Sequence, residues 1–235
     1  VMLKKSSINT LVVTMNKNII IYFIFSIFLL VVLEQIFGFA YIPKQILRIS
    51  LFLLIPLFGI YVLRKSNVKT EIKFEKPTVK ELKVPLLVSI VIFVGTIGGY
   101  FMLQFMFDAE SSVRGGEELG ITSENIIIWG LYLSFVNSLI EEFFFRGYMF
   151  YALEKKSYKL AIIVTSLSWS IYHVVIFDTI FQWYTVIFTI VGLFIIGVLL
   201  AYINKFGKSF INSWIVHIVA DIAVVIVLMY MQTLV

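Results

Sequence analysis

Glu141 and Glu142 stand side by side in an otherwise apolar run, Ile140-Glu141-Glu142-Phe143-Phe144-Phe145, closed by Arg146 and Gly147. A charge in hydrocarbon costs on the order of a few kcal/mol unless a partner or a wet cavity relieves it. The chain's two histidines, His173 and His217, also fall in apolar runs, and Asp221 follows His217 by one helical turn. Carboxylates near imidazoles suit general acid–base work. A buried carboxylate can take a proton from water, and an imidazole can carry a proton or face a developing oxyanion. Glu, His and Asp are metal ligands as well, although no HExxH pair is present. Buried acid–histidine sets also mark proton and ion pathways. Residue type alone therefore leaves hydrolysis, metal binding and coupled transport open.

Spacing narrows the roles. Glu142 and Arg146 are i and i+4 on one helix face, where an ion pair can neutralise both. Glu141 points about 100° away and is freer to face a reactant. His217 and Asp221 are again i and i+4, so the carboxylate is expected to fix the imidazole's orientation and tautomer. On a rise of about 1.5 Å per residue, Glu141, Asp221, His217 and His173 all come within several ångströms of mid-membrane. Each residue has a plainer reading. A lone histidine can be a helix–helix hydrogen bond, and Arg146 can be an anchor snorkelling to the interface. A set of six at one depth favours a functional centre.

The elements that must position this set are membrane helices. The 235 residues are 60% hydrophobic and 14% charged, against roughly a quarter charged in soluble domains. Apolar runs of about 20 residues cross the hydrocarbon. They fall near 19–40, 45–63, 85–107, 126–152, 158–177, 183–203 and 210–234. Ending the fourth before the glutamates leaves only about fifteen residues, short of that length, so the helix is expected to run through the charges. Pro56 marks the second run for a kink or tilt. Glu34 is expected at an interface. The 108–124 segment reads as a flexible loop, and 64–84 as an amphipathic surface piece or a solvated loop.

Lysines and arginines cluster on alternate connections: Lys4, Lys5 and Lys17, then 64–84, then Lys155, Lys156 and Lys159, then Lys205 and Lys208. The other side carries Lys44, Arg48 and Arg114 among acids that include Asp178. This bias places the N-terminus in the cytoplasm and the C-terminus outside. No small-residue cleavage site follows the first apolar run, so the N-terminal arm does not read as a cleavable signal. The net charge of +5 is spread between spans rather than gathered on one face, which argues against a nucleic-acid partner. The absence of cysteine excludes disulfides, thiol catalysis and Cys-ligated metals.

Three ordered motifs resemble a known family, the CAAX prenyl protease and bacteriocin-processing (CPBP, or Abi) intramembrane glutamic endopeptidases. The first is EExxxR, Glu141-Glu142-Phe143-Phe144-Phe145-Arg146, followed by Gly147. The second is FxxxH, here Trp169-Ser170-Ile171-Tyr172-His173. The third is HxxxN or HxxxD, here His217-Ile218-Val219-Ala220-Asp221. The resemblance covers about residues 141–221; the first three spans match only as generic hydrophobic helices. It implies that Glu141 activates the attacking water with help from His173. His217 and Asp221 would shape the oxyanion site, Glu142 and Arg146 would position the pair, and no metal or cofactor is implied. Trp169 stands where Phe is usual. Asp221 stands where many members have Asn, and an ionised Asp accepts hydrogen bonds without donating. Asp221 is therefore expected to orient His217.

Taken together, the chain is expected to be an all-α polytopic bundle of about seven helices. It forms one membrane-embedded protease domain over 1–235, with its motif-bearing core at about 126–234. Its partners are the lipid bilayer and a membrane-associated peptide or protein substrate, and its place is a bacterial plasma membrane. Alternatives are a proton- or ion-coupled transporter and a non-catalytic bacteriocin-immunity protein.

Overall fold

The computed structural model describes residues 18–33, 41–106, 108–118, 120–176 and 183–235. The N-terminal arm, Glu34 and Asp178 lie outside them. Among the described residues the chain is helical, with no strand. In chain order the helices are α1, Asn18–Leu33; α2, Pro43–Leu63; α3, Val68–Glu71; and α4, Val79–Leu103. They continue as α5, Ala109–Glu118; α6, Ile126–Glu154; α7, Tyr158–Ile176; α8, Trp183–Gly207; and α9, Ile211–Gln232. Stretches within α2, α4, α6, α8 and α9 are long and apolar enough to cross a membrane, while α1 and α7 occupy the places of the other two expected spans. The protein is a multi-pass helical membrane bundle.

Two stretches depart from the sequence expectation. The 108–124 stretch contains α5 rather than a continuous loop. Asp108 starts it, accepting from Ser111 Oγ at 2.5 Å and, through its carbonyl, from the Ser112 amide at 3.0 Å. The third span also begins earlier than residue 85. Thr78 and Glu81 form a reciprocal capping box that satisfies the first amides of α4, and Pro85 lies inside the helix, where its ring leaves one turn-to-turn backbone bond unmade. The 64–78 segment is folded against the bundle: Ile72 is buried, and Glu71 and Lys73 pair with Lys155 and Glu154 at 2.9 and 3.0 Å.

The helix that carries the glutamates, α6, continues through them as expected and is wound wide on either side. The Ser138 amide reaches back five residues to the Leu133 carbonyl, and the Phe150 amide to Phe145. Such wide turns are rare and concentrate where a helix must re-aim side chains. A similar turn in α2, with Ile55 bonded to Ser50, precedes Pro56.

Phe143, Phe144 and Phe145 are buried and make α6 the centre of the bundle. Phe144 stacks on Phe52 of α2 at 4.3 Å and 7°, and Phe145 packs on Tyr172 of α7 at 5.7 Å. On the opposite flank, α9 lies against α6. Trp214 donates to Ser138 Oγ at 3.0 Å, and Gly130 admits Val225 so closely that a Cβ there would lie 2.8 Å from its Cγ1. Replacing Gly130 by Ala should therefore overpack the α6–α9 seam and destabilise the protein by about 1–3 kcal/mol. Thermal unfolding in detergent measures it, and adding Val225→Ala should return most of the loss.

Candidate functional site

Three helices bring the sequence-selected residues together. Glu141 and Glu142 are buried on α6, at 2% and 0% exposure. Glu142 Oε1 accepts from Arg146 Nη1 at 3.0 Å, the expected i,i+4 ion pair, and both side chains are shut off from solvent. The same oxygen lies 3.0 Å from His217 Nδ1 of α9. An ionised carboxylate can only accept, so Nδ1 carries the hydrogen and Nε2 is turned to the interior.

This corrects one expectation. Asp221 Oδ1 is 3.6 Å from His217 Nε2, within reach of a charge but beyond a hydrogen bond. The carboxylate that fixes the His217 tautomer is Glu142, not Asp221. The physical reason is geometric: across the α6–α9 contact Glu142 meets the ring edge directly, while Asp221 lies beside it on the same helix.

Glu141 is held from two sides. Asn137, one turn earlier on α6, donates Nδ2–H to its Oε1 at 2.8 Å. Trp169 of α7 donates its indole N–H to Oε2 at 3.0 Å. Two imidazole nitrogens face the same oxygen, His173 Nε2 at 3.5 Å and His217 Nε2 at 3.9 Å. The Nδ1 of His173 lies 2.9 Å from the Trp169 carbonyl, and because a carbonyl only accepts, this nitrogen also carries its hydrogen. His173 is the more open of the two imidazoles, with 18% of its side chain exposed against 5% for His217. The Arg146 guanidinium lies 4.5 Å over the Trp169 ring, so one indole contacts both a carboxylate, through its N–H, and a cation, through its face.

The arrangement suits two chemistries. In neutral imidazoles with hydrogens on Nδ1, both Nε2 atoms are acceptors, and a polar molecule between them and Glu141 has partners ready. One donor atom from each of Glu141, His173 and His217 also lies within 4.8 Å of the others, a set able to grip a divalent cation. The carbonyl and carboxylate behind the two Nδ1 atoms are the kind of support that metal-bound histidines have.

Several members of the site were not picked out from sequence. Asn137 had a signal, being an amide one turn before Glu141 in an apolar run. From sequence Trp169 reads only as an aromatic in the place of Phe, yet its N–H is what reaches the acid. Charge bias sets Arg48 with the residues of the outer side. It is instead buried at 7% exposure, donating to the Tyr172 hydroxyl at 3.0 Å and to Gln45 Oε1.

The fold and this centre define a polytopic helical membrane protein that gathers carboxylates and imidazoles from three helices into one buried cluster. Residues 123–223, which contain all three motifs, match the family model described as type II CAAX prenyl endopeptidase, Rce1-like. That is the CAAX-protease family the ordered motifs resemble, and the match supports a membrane endopeptidase. No curated protein and no solved structure matches the chain.

Removing one partner of a buried ion pair strands the other charge. Arg146→Met should therefore cost about 3–5 kcal/mol of stability, and Glu142→Gln with Arg146→Met should cost less than Arg146→Met alone. Thermal unfolding of the purified variants compares the two.

Proposed function

We propose that the chain is an intramembrane glutamic endopeptidase. Glu141 activates a water against a peptide bond of a membrane-associated peptide or protein, without a metal or cofactor. Support comes from the nitrogens around Glu141: two imidazole Nε2 atoms at 3.5 and 3.9 Å from Oε2, each with its Nδ1 engaged elsewhere. A water seated between His173 Nε2 and Glu141 Oε2 donates one hydrogen to each, and its lone pair is left to attack.

The water oxygen bonds to the carbonyl carbon, its proton passes to Glu141, and the carbonyl electron pair moves to oxygen. In this reading His217 is an imidazolium from the start and keeps both protons throughout, its Nδ1–H on Glu142 and its Nε2–H presented to that oxyanion, while His173 stays neutral. Asp221 provides the counter-charge to this imidazolium. When the carbon–nitrogen bond breaks, Glu141 returns its proton to the leaving nitrogen. Glu142 and Arg146 position the centre, the first through His217 and the second through Glu142. Base catalysis of this kind contributes about 10²–10⁴-fold in rate.

A second reading has an observation in its favour. The same three donor atoms could hold a divalent cation, which would supply Lewis-acid polarisation and a more acidic water. One experiment separates the readings: the protein reconstituted with candidate membrane peptides, products followed by mass spectrometry, with and without chelator. Glu141→Gln and His173→Ala should each lower cleavage by at least about 10²-fold while the protein stays folded. Activity should survive chelation. Ion flux without product would point to a transporter, and a phenotype surviving Glu141→Ala would point to a non-catalytic immunity protein.

We further place the protein in a bacterial plasma membrane with its N-terminus in the cytoplasm, on the alternation of basic connections. The cysteine-free chain makes this directly readable. A thiol introduced as Lys69→Cys should be shielded from an impermeant maleimide in intact cells, and Glu117→Cys should react. The reverse pattern would invert the topology.

A further inference from the structure

Between α2 and α6 runs a groove of about 420 Å³. Its α2 wall is Ile49, Leu53 and Leu57, one turn apart over about 12 Å of helix axis. Its α6 wall is Val136, Ile140 and Phe143, which share a face at least about 100° round from Glu141. Both walls belong to segments long and apolar enough to cross a membrane. Exposure is graded across the groove: Ile140 and Phe143 are buried at its floor, Leu53 and Leu57 are half-buried, and Val136 at the rim is 44% exposed. It therefore opens outward from the bundle, among the lipid chains. One end is fixed by the 64–78 segment. Ile72 is buried there against Gly147, and the pairs Glu71–Lys155 and Lys73–Glu154 hold the chain on either side of it. At this end stands Lys69, exposed, and the other described lining residues are apolar.

We propose that this groove binds an anionic glycerophospholipid, with one acyl chain along Leu53 and Leu57 over Ile140 and Phe143 and its phosphate on Lys69. A void leaves its lining without partner atoms and forfeits their dispersion contacts, which a hydrocarbon chain restores. A peptide segment fits less well, because it would bring backbone N–H and C=O groups against apolar walls. The lysine at one end selects the head. A basic residue at a membrane surface attracts anionic lipid, and a zwitterionic head lacks that match. The bound chain braces the stretch of α6 on which the glutamate pair stands, from the side away from Glu141. Such binding needs the membrane bundle alone and not the hydrolase reading above.

The full chain, purified in detergent and stripped of lipid, is titrated with phosphatidylglycerol or with phosphatidylcholine of the same acyl chains. Native mass spectrometry counts the lipid retained. The wild type should hold one phosphatidylglycerol about fivefold more tightly than phosphatidylcholine, the effect of one lysine near an anionic lipid. Lys69→Gln should erase that preference and leave phosphatidylcholine binding as it was. Val136→Trp, which fills the groove from its rim, should lose the one-to-one complex with either lipid. Should that variant unfold early in a thermal scan, Val136→Phe makes a smaller intrusion and should weaken both lipids alike. Equal affinities in the wild type, or a preference kept in Lys69→Gln, would overturn the assignment. So would lipid binding untouched in folded Val136→Trp; a raised KM for a lipid-linked peptide in that variant would then give the groove to the substrate's own chain. No readout of phospholipid here is catalytic. Loss of the hydrolase reading would leave it standing, and its failure would leave Glu141 as assigned.

Discussion

A single oxygen, Glu142 Oε1, accepts from Arg146 within its own helix and from His217 across the bundle, both at 3.0 Å. In water such contacts would contribute little, because solvent competes for every partner. In a membrane interior there is no competitor, and any of the three groups left alone would carry a large desolvation cost. The contact therefore decides how α6 and α9 are set against each other, and the placing of Glu141 follows. With Glu142 engaged, its neighbour is turned toward α7, where Trp169 and His173 meet it.

The apolar framework serves the same constraint. The three phenylalanines after the glutamates fill the space between α6, α2 and α7, with Phe52 and Tyr172 packed against them. They exclude water from one side of the acids, so the electrostatic terms there act at full strength. Those rings also bring α2 close enough for Arg48 to meet Tyr172. Packing and charge are thus one arrangement: the aromatic layer sets the dielectric in which the polar layer operates.

Most of this centre was legible in the sequence, for a physical reason. Charges inside apolar spans are rare enough that Glu141, Glu142, Arg146, His173, His217 and Asp221 announce themselves. The i,i+4 rule correctly gave the Glu142–Arg146 pair, because that contact is local to one helix. It misled at Asp221, because the stronger partner of His217 comes from another helix and no spacing along α9 encodes it. Arg48 was misplaced for a similar reason. It lies near the start of an apolar run, where a charge reads as topology, and its burial depends on the approach of α7. The helix inside 108–124 was hidden by its serines and glycines, residues that favour turns unless a cap such as Asp108 recruits them.

The indole of Trp169 has one more implication. Where the family's pattern usually has Phe, this chain has a ring with an N–H, and that hydrogen goes to Glu141. Where many members have Asn, it has Asp221, which when ionised donates nothing. The two departures have opposite signs: one helix adds a donor to the centre, and another takes one away. A phenylalanine at 169 would leave Glu141 Oε2 without its indole donor, while an asparagine at 221 would set an amide N–H beside His217.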